Sequence, residues 1–477
     1  MKMLIDGKRV DAANSATIDI LDSATQEFID TVPAGTVEDM QRAIEVANKG
    51  KKAWSALPQY TRSNILYKWA DLVAANRVEL HTLLARETGK PISGAIGETD
   101  VVPQIIRGYC EVANHMYGQT MTDYQTGSET DIIFTRREPL GVVGCITPFN
   151  YPVELCYHKA AAAMAVGNAC IIKPSEENPL SIMRIAELAW EAGIPGDVLQ
   201  VVTGYGAEIG PLLAASPLVN AISFTGSTKV GLEIAALAAK TLKKVSLELG
   251  GNDPFIVYED ADMELAVREA ANARVQHAGQ TCCAPKRFIV HSTVIDEFTT
   301  KLIERLKTVK TGSTLDENTE LGSLISPVAA QRVQEQVDKT VAQGAKLALG
   351  GKMHNVTHFE PTVLTNVTRD MDIMRDMEVF GPVFPIIPFD TMDEAIEIAN
   401  NTMFGLNSGV ITRDNAKAIK TAARLEVGNV MFNASGCNRN VDQPHGGIKM
   451  SGVGREGICC TLEEMTNVKV YFMKNVL

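Results

Sequence analysis

The sequence has 477 residues, room for about three domains of ordinary size and for a core that needs no disulfide or metal staple. Hydrophobic residues make up 45% and charged residues 21%, which excludes long disorder, collagen-like repeats and coiled-coil rods. A net charge of −12 leaves no electrostatic footprint for nucleic acid or an anionic membrane.

Met1–Gly7 has no apolar leader and no run of 18 apolar residues occurs, so a cytoplasmic setting is expected, with no membrane partner. Nine cysteines are an odd number, and none forms a CxxC pair or joins histidines at zinc spacing. They are expected to be free thiols, with no metal site.

The chain opens with short strands around turns, Asp6-Gly7 reading as a hairpin. Thr36-x-x-Asp39 forms a capping box before a helix marked by Met40, Ala43, Ile44 and Ala47. Further helices are expected at roughly 61–87 and 103–117, the latter behind Pro103. From residue 142 short β-rich runs alternate with helical ones. The runs are Val142–Thr147, Ala169–Lys173, Val198–Thr203, Ala221–Thr225 and Val245–Leu249. Five strands with four crossovers of this length predict an α/β fold, a parallel sheet with helices on both faces. Ligands of such sheets sit at the carboxyl ends of the strands.

Alternation resumes with Pro254–Val257, a helix at about 262–276, a strand at about 287–291, and βα patterns at 293–345 and 384–432, predicting a second α/β domain. Two alternating stretches remain, 128–138 and 466–474, which read as an arm that pairs with another subunit.

Four of the strand ends, and the loop after the helix at about 262–276, carry residues with two readings. Asn150, between two prolines, is either a turn residue or an amide donor for a developing oxyanion. Glu176 in Lys173-Pro-Ser-Glu176 is either a surface partner of Lys173 or an acceptor for ribose hydroxyls that would repel a 2′-phosphate. Phe224-Thr-Gly-Ser-Thr228 opens a helix, as an ordinary capped turn or as a phosphate seat. Glu248, beside two glycines, is a salt-bridge residue or a general base. Cys282 is an inert thiol or a nucleophile.

In this order these elements resemble the aldehyde dehydrogenase superfamily, essentially end to end. The motifs are Thr147-Pro-Phe-Asn-Tyr-Pro152, Lys173-Pro-Ser-Glu176, Phe224-Thr-Gly-Ser-Thr228, Glu248-Leu-Gly-Gly251, Gly279-Gln-Thr-Cys282, Glu378-Val-Phe-Gly-Pro382 and Lys449-Met-Ser-Gly-Val-Gly-Arg455. The resemblance implies that Cys282 attacks an aldehyde, Asn150 and the Cys282 N–H hold the oxyanion, and Glu248 activates the water that hydrolyses the thioester. Cys283 would be a bystander.

It further implies NAD as cofactor, with NADP possible. Lys173 and Glu176 would hold the adenosine ribose and Ser227 the pyrophosphate. Glu378 would reach the nicotinamide ribose beside Phe380. Thr147, Phe149, Ser175, Gly206, Gly226 and Leu249 complete the implied cofactor set, and Lys159 and Glu456 match positions for water or proton handling. The implied organisation is a Rossmann-like cofactor domain over 1–118 and 139–249, a catalytic domain over 250–462, and an oligomerisation arm over 119–138 and 463–477, in a homodimer or homotetramer.

The stretch from Phe134 through Pro152 resembles the branch that acts on small polar aldehydes, including lactaldehyde, non-phosphorylating glyceraldehyde-3-phosphate and phosphonoacetaldehyde dehydrogenases. A short hydroxylated or anionic aldehyde is therefore expected, with lactaldehyde, glycolaldehyde, succinate semialdehyde, glyceraldehyde-3-phosphate, sulfolactaldehyde and phosphonoacetaldehyde as candidates and Arg107, His158 and Arg439 at its distal end. Where many of these enzymes carry an Arg before the nucleophile, this chain has Thr281. Three other functions compete: a coenzyme-A-acylating dehydrogenase, a catalytically silent relative, and a cysteine hydrolase using His277 and Cys282. The presence of Glu248 and Cys282 disfavours the first two; the third lacks a motif for its orienting residue.

Overall fold

A computed structural model describes residues 1–122 and 125–477. Its first sheet has eight strands. The five expected parallel ones lie side by side in the order Lys244–Glu248, Ala221–Thr225, Val142–Ile146, Ala169–Lys173, Leu199–Val201. The sheet therefore starts in its middle and winds outward both ways, a doubly wound topology that leaves a ligand crevice along the carboxyl ends. Asp6-Gly7 turns the hairpin Met3–Ile5/Lys8–Val10, which adds antiparallel to one edge. Gly452–Val453 closes the other edge against Lys244–Glu248. That strand, and the helix Ile458–Glu464 packed on Ile92–Asn114, belong spatially to the first domain, whereas the sequence division placed both with the second.

The helices follow the apolar periodicity. Val37–Ala56 starts at the expected capping box, Thr36 accepting from the Asp39 N–H and Asp39 from the Thr36 N–H. The expected helix at 61–87 is two, Gln59–Ala75 and Arg77–Thr88. Pro103 does not begin its helix but lies inside Ile92–Asn114. A proline in a helix costs about 3 kcal/mol, but Val102, Ile105, Ile106 and Tyr109 around it are wholly buried, and that packing outweighs the lost hydrogen bond. In Pro152–Ala165 every residue but Glu154 is buried, and Ala160–Ala163 let it lie close against its neighbours.

The second sheet has seven strands in the order Lys346–Leu349, Thr362–Thr365, Val383–Phe389, Arg287–His291, Pro254–Val257, Asn407–Ile411, Asn429–Phe432. All neighbours are parallel except the first pair. Only residues 249–253 separate Glu248, at the carboxyl end of one sheet, from Pro254, at the amino end of the other. The seam thus joins a carboxyl edge to an amino edge.

The two leftover stretches pair with each other. Ile132–Pro139 runs antiparallel to Thr466–Met473 along eight residues, and Thr120–Met121 adds a third strand. Val468, Val470 and Phe472, on one face, are exposed.

Trp69 is wholly buried between Gln59–Ala75 and the helix Leu180–Glu191, its indole N–H donating to the Ile185 carbonyl at 2.9 Å. Trp69→Ala is expected to cost about 3–5 kcal/mol, read as a lower urea midpoint with unchanged far-UV circular dichroism before the transition.

Candidate active site

Cys282 lies on the loop between the helix Met263–Val275 and the strand Arg287–His291, at the amino edge of the second sheet. The loop is strained: His277, Ala278 and Gly279 all have positive φ (47°, 50° and 72°). A Cβ on Gly279 would stand 2.3 Å from the Gly381 carbonyl oxygen. Buried cations hold the loop in place. Arg274 donates to the carbonyls of Gly279, Val379 and Gly381. Lys286 donates to those of Thr281 (3.2 Å), Cys282 (2.5 Å) and Ala284 (3.3 Å).

Across the seam, Asn150 sits in the turn after Val142–Ile146. Its side-chain amide donates to the Gln280 carbonyl at 3.0 Å, two residues before the thiol. An amide has two N–H groups, so one remains for a ligand. The Asn150 carbonyl accepts from Lys90 Nζ at 2.9 Å. Lys90 forms a fully buried ion pair with Glu98, whose other oxygen accepts from the Val153 and Glu154 N–H groups at 2.9 and 3.3 Å. The pair therefore fixes both sides of the turn that carries Asn150.

Glu248 ends its strand beside the thiol. A Glu248 carboxylate oxygen, Cys282 Sγ and a His445 ring nitrogen all lie within 4.8 Å of one another. Glu248 Oε1 is buried without a hydrogen-bond partner, 3.6 Å from His445 Nε2. The contact with Cys283, burial and the Glu248 charge push the Cys282 thiol well above its usual pKa, so the resting group is S–H.

Behind these residues lies a charged cluster. Glu456 accepts from Lys159 at 2.6 Å and from Arg439 at 3.1 Å. Burial opposes its charge, but Lys159 and Arg439 hold the carboxyl well below the usual range. His158 accepts or donates at 2.9 Å with the Tyr109 hydroxyl. Burial and Arg439 push its pKa down to about 3, so it is a neutral imidazole. Arg439 lies 4.0 Å from Glu154. Among the described residues, Arg439 Nε, His158 Nε2 and Thr281 Oγ1 are buried with no hydrogen-bond partner.

Arg107 is not brought to this cluster. Its guanidinium lies half-exposed on Asp71, while Tyr109 on the same helix faces His158. His277 is not joined to the thiol either. Among the described residues both its ring nitrogens lack partners, and its ring meets that of Tyr151 in a T-shaped contact.

The expected cofactor residues line the carboxyl edge of the first sheet and its facing loop. Lys173 Nζ lies 2.8 Å from Glu176, with Ser175 between them in the chain. Burial opposes the Glu176 charge, but Lys173 outweighs it and holds the carboxyl below its usual value. The Gly206 N–H points at Glu176 Oε1 (3.4 Å), and a Cβ there would meet Lys173 and Glu176. Thr147 Oγ1 is buried without a partner, and the Thr147 N–H donates to the Lys173 carbonyl. Ser227 caps the twelve-residue helix Thr228–Ala239, and the Gly226 N–H donates to the Glu248 carbonyl. Leu249 is buried under Gly231. From the second domain, Glu378 accepts from the Gly251 N–H at 3.1 Å, and Phe380 meets Phe149 edge-on at 6.0 Å. A paired ribose-type carboxylate, a glycine beside it, a helix N-terminus and an unpartnered hydroxyl, all along one edge, fit a dinucleotide.

His445, Lys90, Glu98 and Lys286 were not singled out in the sequence. His445 falls four residues before the Lys449–Arg455 motif, and its only signal is a histidine fixed between Pro444 and two glycines.

A family model described as the aldehyde dehydrogenase family matches residues 10–471. The chain is 40% identical over 465 residues to a glutarate-semialdehyde dehydrogenase of Pseudomonas putida, covering 98% of this chain and 96% of that protein. It is 36% identical over 468 residues to a succinate-semialdehyde dehydrogenase of Escherichia coli strain K12 whose name specifies NADP(+), covering 98% and 96%. A betaine aldehyde dehydrogenase from Staphylococcus aureus, solved in complex with NAD+, superposes with a TM-score of 0.96 at 35% identity, covering 100% of this chain and 95% of that one. The likeness is thus to semialdehyde dehydrogenases, correcting the expected lactaldehyde, glyceraldehyde-3-phosphate and phosphonoacetaldehyde branch.

Glu98→Gln should leave Lys90 as an uncompensated buried charge and cost about 3–5 kcal/mol, read as a lower thermal midpoint. Adding Lys90→Met to it should recover most of that stability.

Proposed function

The chain belongs to the aldehyde dehydrogenase family, and from that premise we propose that it oxidises a short aldehyde with a negatively charged far end, a semialdehyde, to the carboxylic acid. The observation that carries this substrate class is a set of buried polar atoms without partners among the described residues: Arg439 Nε and His158 Nε2 in the charged cluster around Glu456, and Thr281 Oγ1 next to the nucleophile in the chain. Buried polar groups are normally satisfied, so such a group of them is a seat for a polar ligand. Arg439 brings the positive charge. Glu456 and Glu154 offset part of it, while burial raises the Glu154 pKa and weakens that second opposition. The names of the semialdehyde relatives support the same class.

In this reading Cys282 adds to the aldehyde carbon, with Asn150 Nδ2 and its own backbone N–H as oxyanion donors. NAD(P), when bound, supplies the hydride acceptor that turns the sulfur adduct into a thioester. Lys173, Glu176, Ser227 and Glu378 are the residues that would hold it. Glu248 then takes a proton from water, its unpartnered Oε1 being free for that contact, and the acyl group leaves as the acid. This favours hydrolysis over transfer to coenzyme A. The Glu176 carboxylate, fixed by Lys173, would repel a 2′-phosphate, so we propose a preference for NAD over NADP.

The arm sheet supplies the oligomerisation reading. Val468, Val470 and Phe472 form an exposed apolar row at the end of an eight-residue ladder, the kind of surface a second copy covers.

Three measurements check these statements. Arg439→Ala should raise KM for succinate or glutarate semialdehyde by roughly 10- to 100-fold, the loss of one charge-assisted contact, with far less change for propanal; equal effects on both substrates would refute the anion seat. Glu248→Gln should keep a burst of about one NADH per site while steady turnover falls roughly 10²- to 10⁴-fold. Val470→Asp with Phe472→Asp should lower the mass found by sedimentation velocity, and an unchanged mass would exclude this face from the assembly.

A further inference from the structure

We propose that His445 is the proton partner of Cys282, taking the thiol proton as sulfur attacks the aldehyde and returning it to the thiolate that leaves on hydrolysis. The three groups are mutual neighbours: a Glu248 carboxylate oxygen, Cys282 Sγ and a His445 ring nitrogen all lie within 4.8 Å of one another, and His445 Nε2 is 3.6 Å from Glu248 Oε1. A nucleophile with a base within reach of its proton is the general arrangement of covalent catalysis.

His445 is held in this place by its backbone. Its N–H donates to the Glu456 carbonyl at 2.7 Å and its carbonyl accepts from the Glu456 N–H at 2.6 Å. Gly446 follows with φ 155°, and a Cβ there would stand 2.7 Å from the Gly454 carbonyl oxygen. The ring is buried, so it has no water to exchange with except through the site itself. A water-sized cavity lined by Lys159, Glu248, His445, Arg455 and Glu456 adjoins it.

The proton balance is simple. The S–H bond breaks, the proton moves to imidazole, and an S–C bond forms; on hydrolysis the S–C bond breaks and the proton returns to sulfur. No electron leaves or enters through His445. The charged and titratable groups around the imidazole are Glu248, Cys282, Arg439, Lys159, Arg455, Glu456 and His158. Burial and Arg439 push its pKa down, but Cys282 and Glu248 outweigh them and leave it above the ordinary imidazole value. Without that base the thiol, raised by Cys283, burial and Glu248, would be inert at neutral pH.

The inference rests on Cys282 as the nucleophile but not on the substrate, so its test uses neither aldehyde nor cofactor. The rate of iodoacetamide alkylation of Cys282, followed by mass spectrometry of its peptide, is measured against pH. Wild type should show an inflection above the ordinary imidazole value, the direction in which this imidazole is shifted. His445→Phe and His445→Gln should lose that inflection, with the rate at pH 7 lower by about tenfold or more, one pH unit of the thiol's titration. Profiles that superpose with wild type in either folded variant overturn the proposal; Gln keeps a polar side chain and serves if Phe does not fold. Loss of the semialdehyde preference would leave these profiles unchanged, so the two readings fail separately.

Discussion

The hydrogen bond from the Asn150 amide to the Gln280 carbonyl is where the two halves of the chemistry meet. One end belongs to a turn at the carboxyl edge of the first sheet, the other to a loop at the amino edge of the second. Neither half contains a complete site. Asn150 and Glu248 come from the first domain and Cys282 from the second, and a linker of only five residues holds the edges face to face. A shift of about 1 Å between the domains would separate Cys282 from Asn150, the proposed nucleophile and oxyanion donor, and catalytic geometry is sensitive at that scale.

Buried charge is how this chain fixes such geometry. Lys90 and Glu98 clamp the Asn150 turn, Arg274 and Lys286 bind the carbonyls of the nucleophile loop, and Lys159, Arg439 and Glu456 hold one another behind the site. Each ion costs desolvation, so these groups add little net stability as pairs. What they supply is direction. A lysine against the carbonyls of Thr281, Cys282 and Ala284 holds a loop whose backbone at 277–279 would otherwise relax out of the left-handed region.

The parts of the fold that were legible in the sequence are those set by local pattern. The five β-rich runs from Val142 to Leu249, the Thr36 capping box and the Asp6-Gly7 hairpin all depend on neighbours within a turn or a strand. Pro103 misled because its effect is local and the packing of Val102, Ile105 and Ile106 is not. Gly452–Val453 and the helix after it returned to the first domain for the same reason: nothing in nine residues records which sheet edge is open. Arg107 and Arg439 look alike in sequence, yet a helix face turns one to the exposed Asp71 and a loop brings the other to the buried Glu456.

By itself the sequence determined the α/β class, the alternation that sets the parallel sheets, and the residue types able to do covalent aldehyde chemistry, because periodicity and side-chain reactivity are carried by the residues themselves. Only the tertiary structure decided which of those residues share a site. His445, 163 positions from Cys282 in the chain, became the thiol's neighbour through its pairing with the Glu456 backbone and the meeting of two sheet edges. Such contacts follow from closure of the whole chain around its cores, a global constraint that no local pattern encodes.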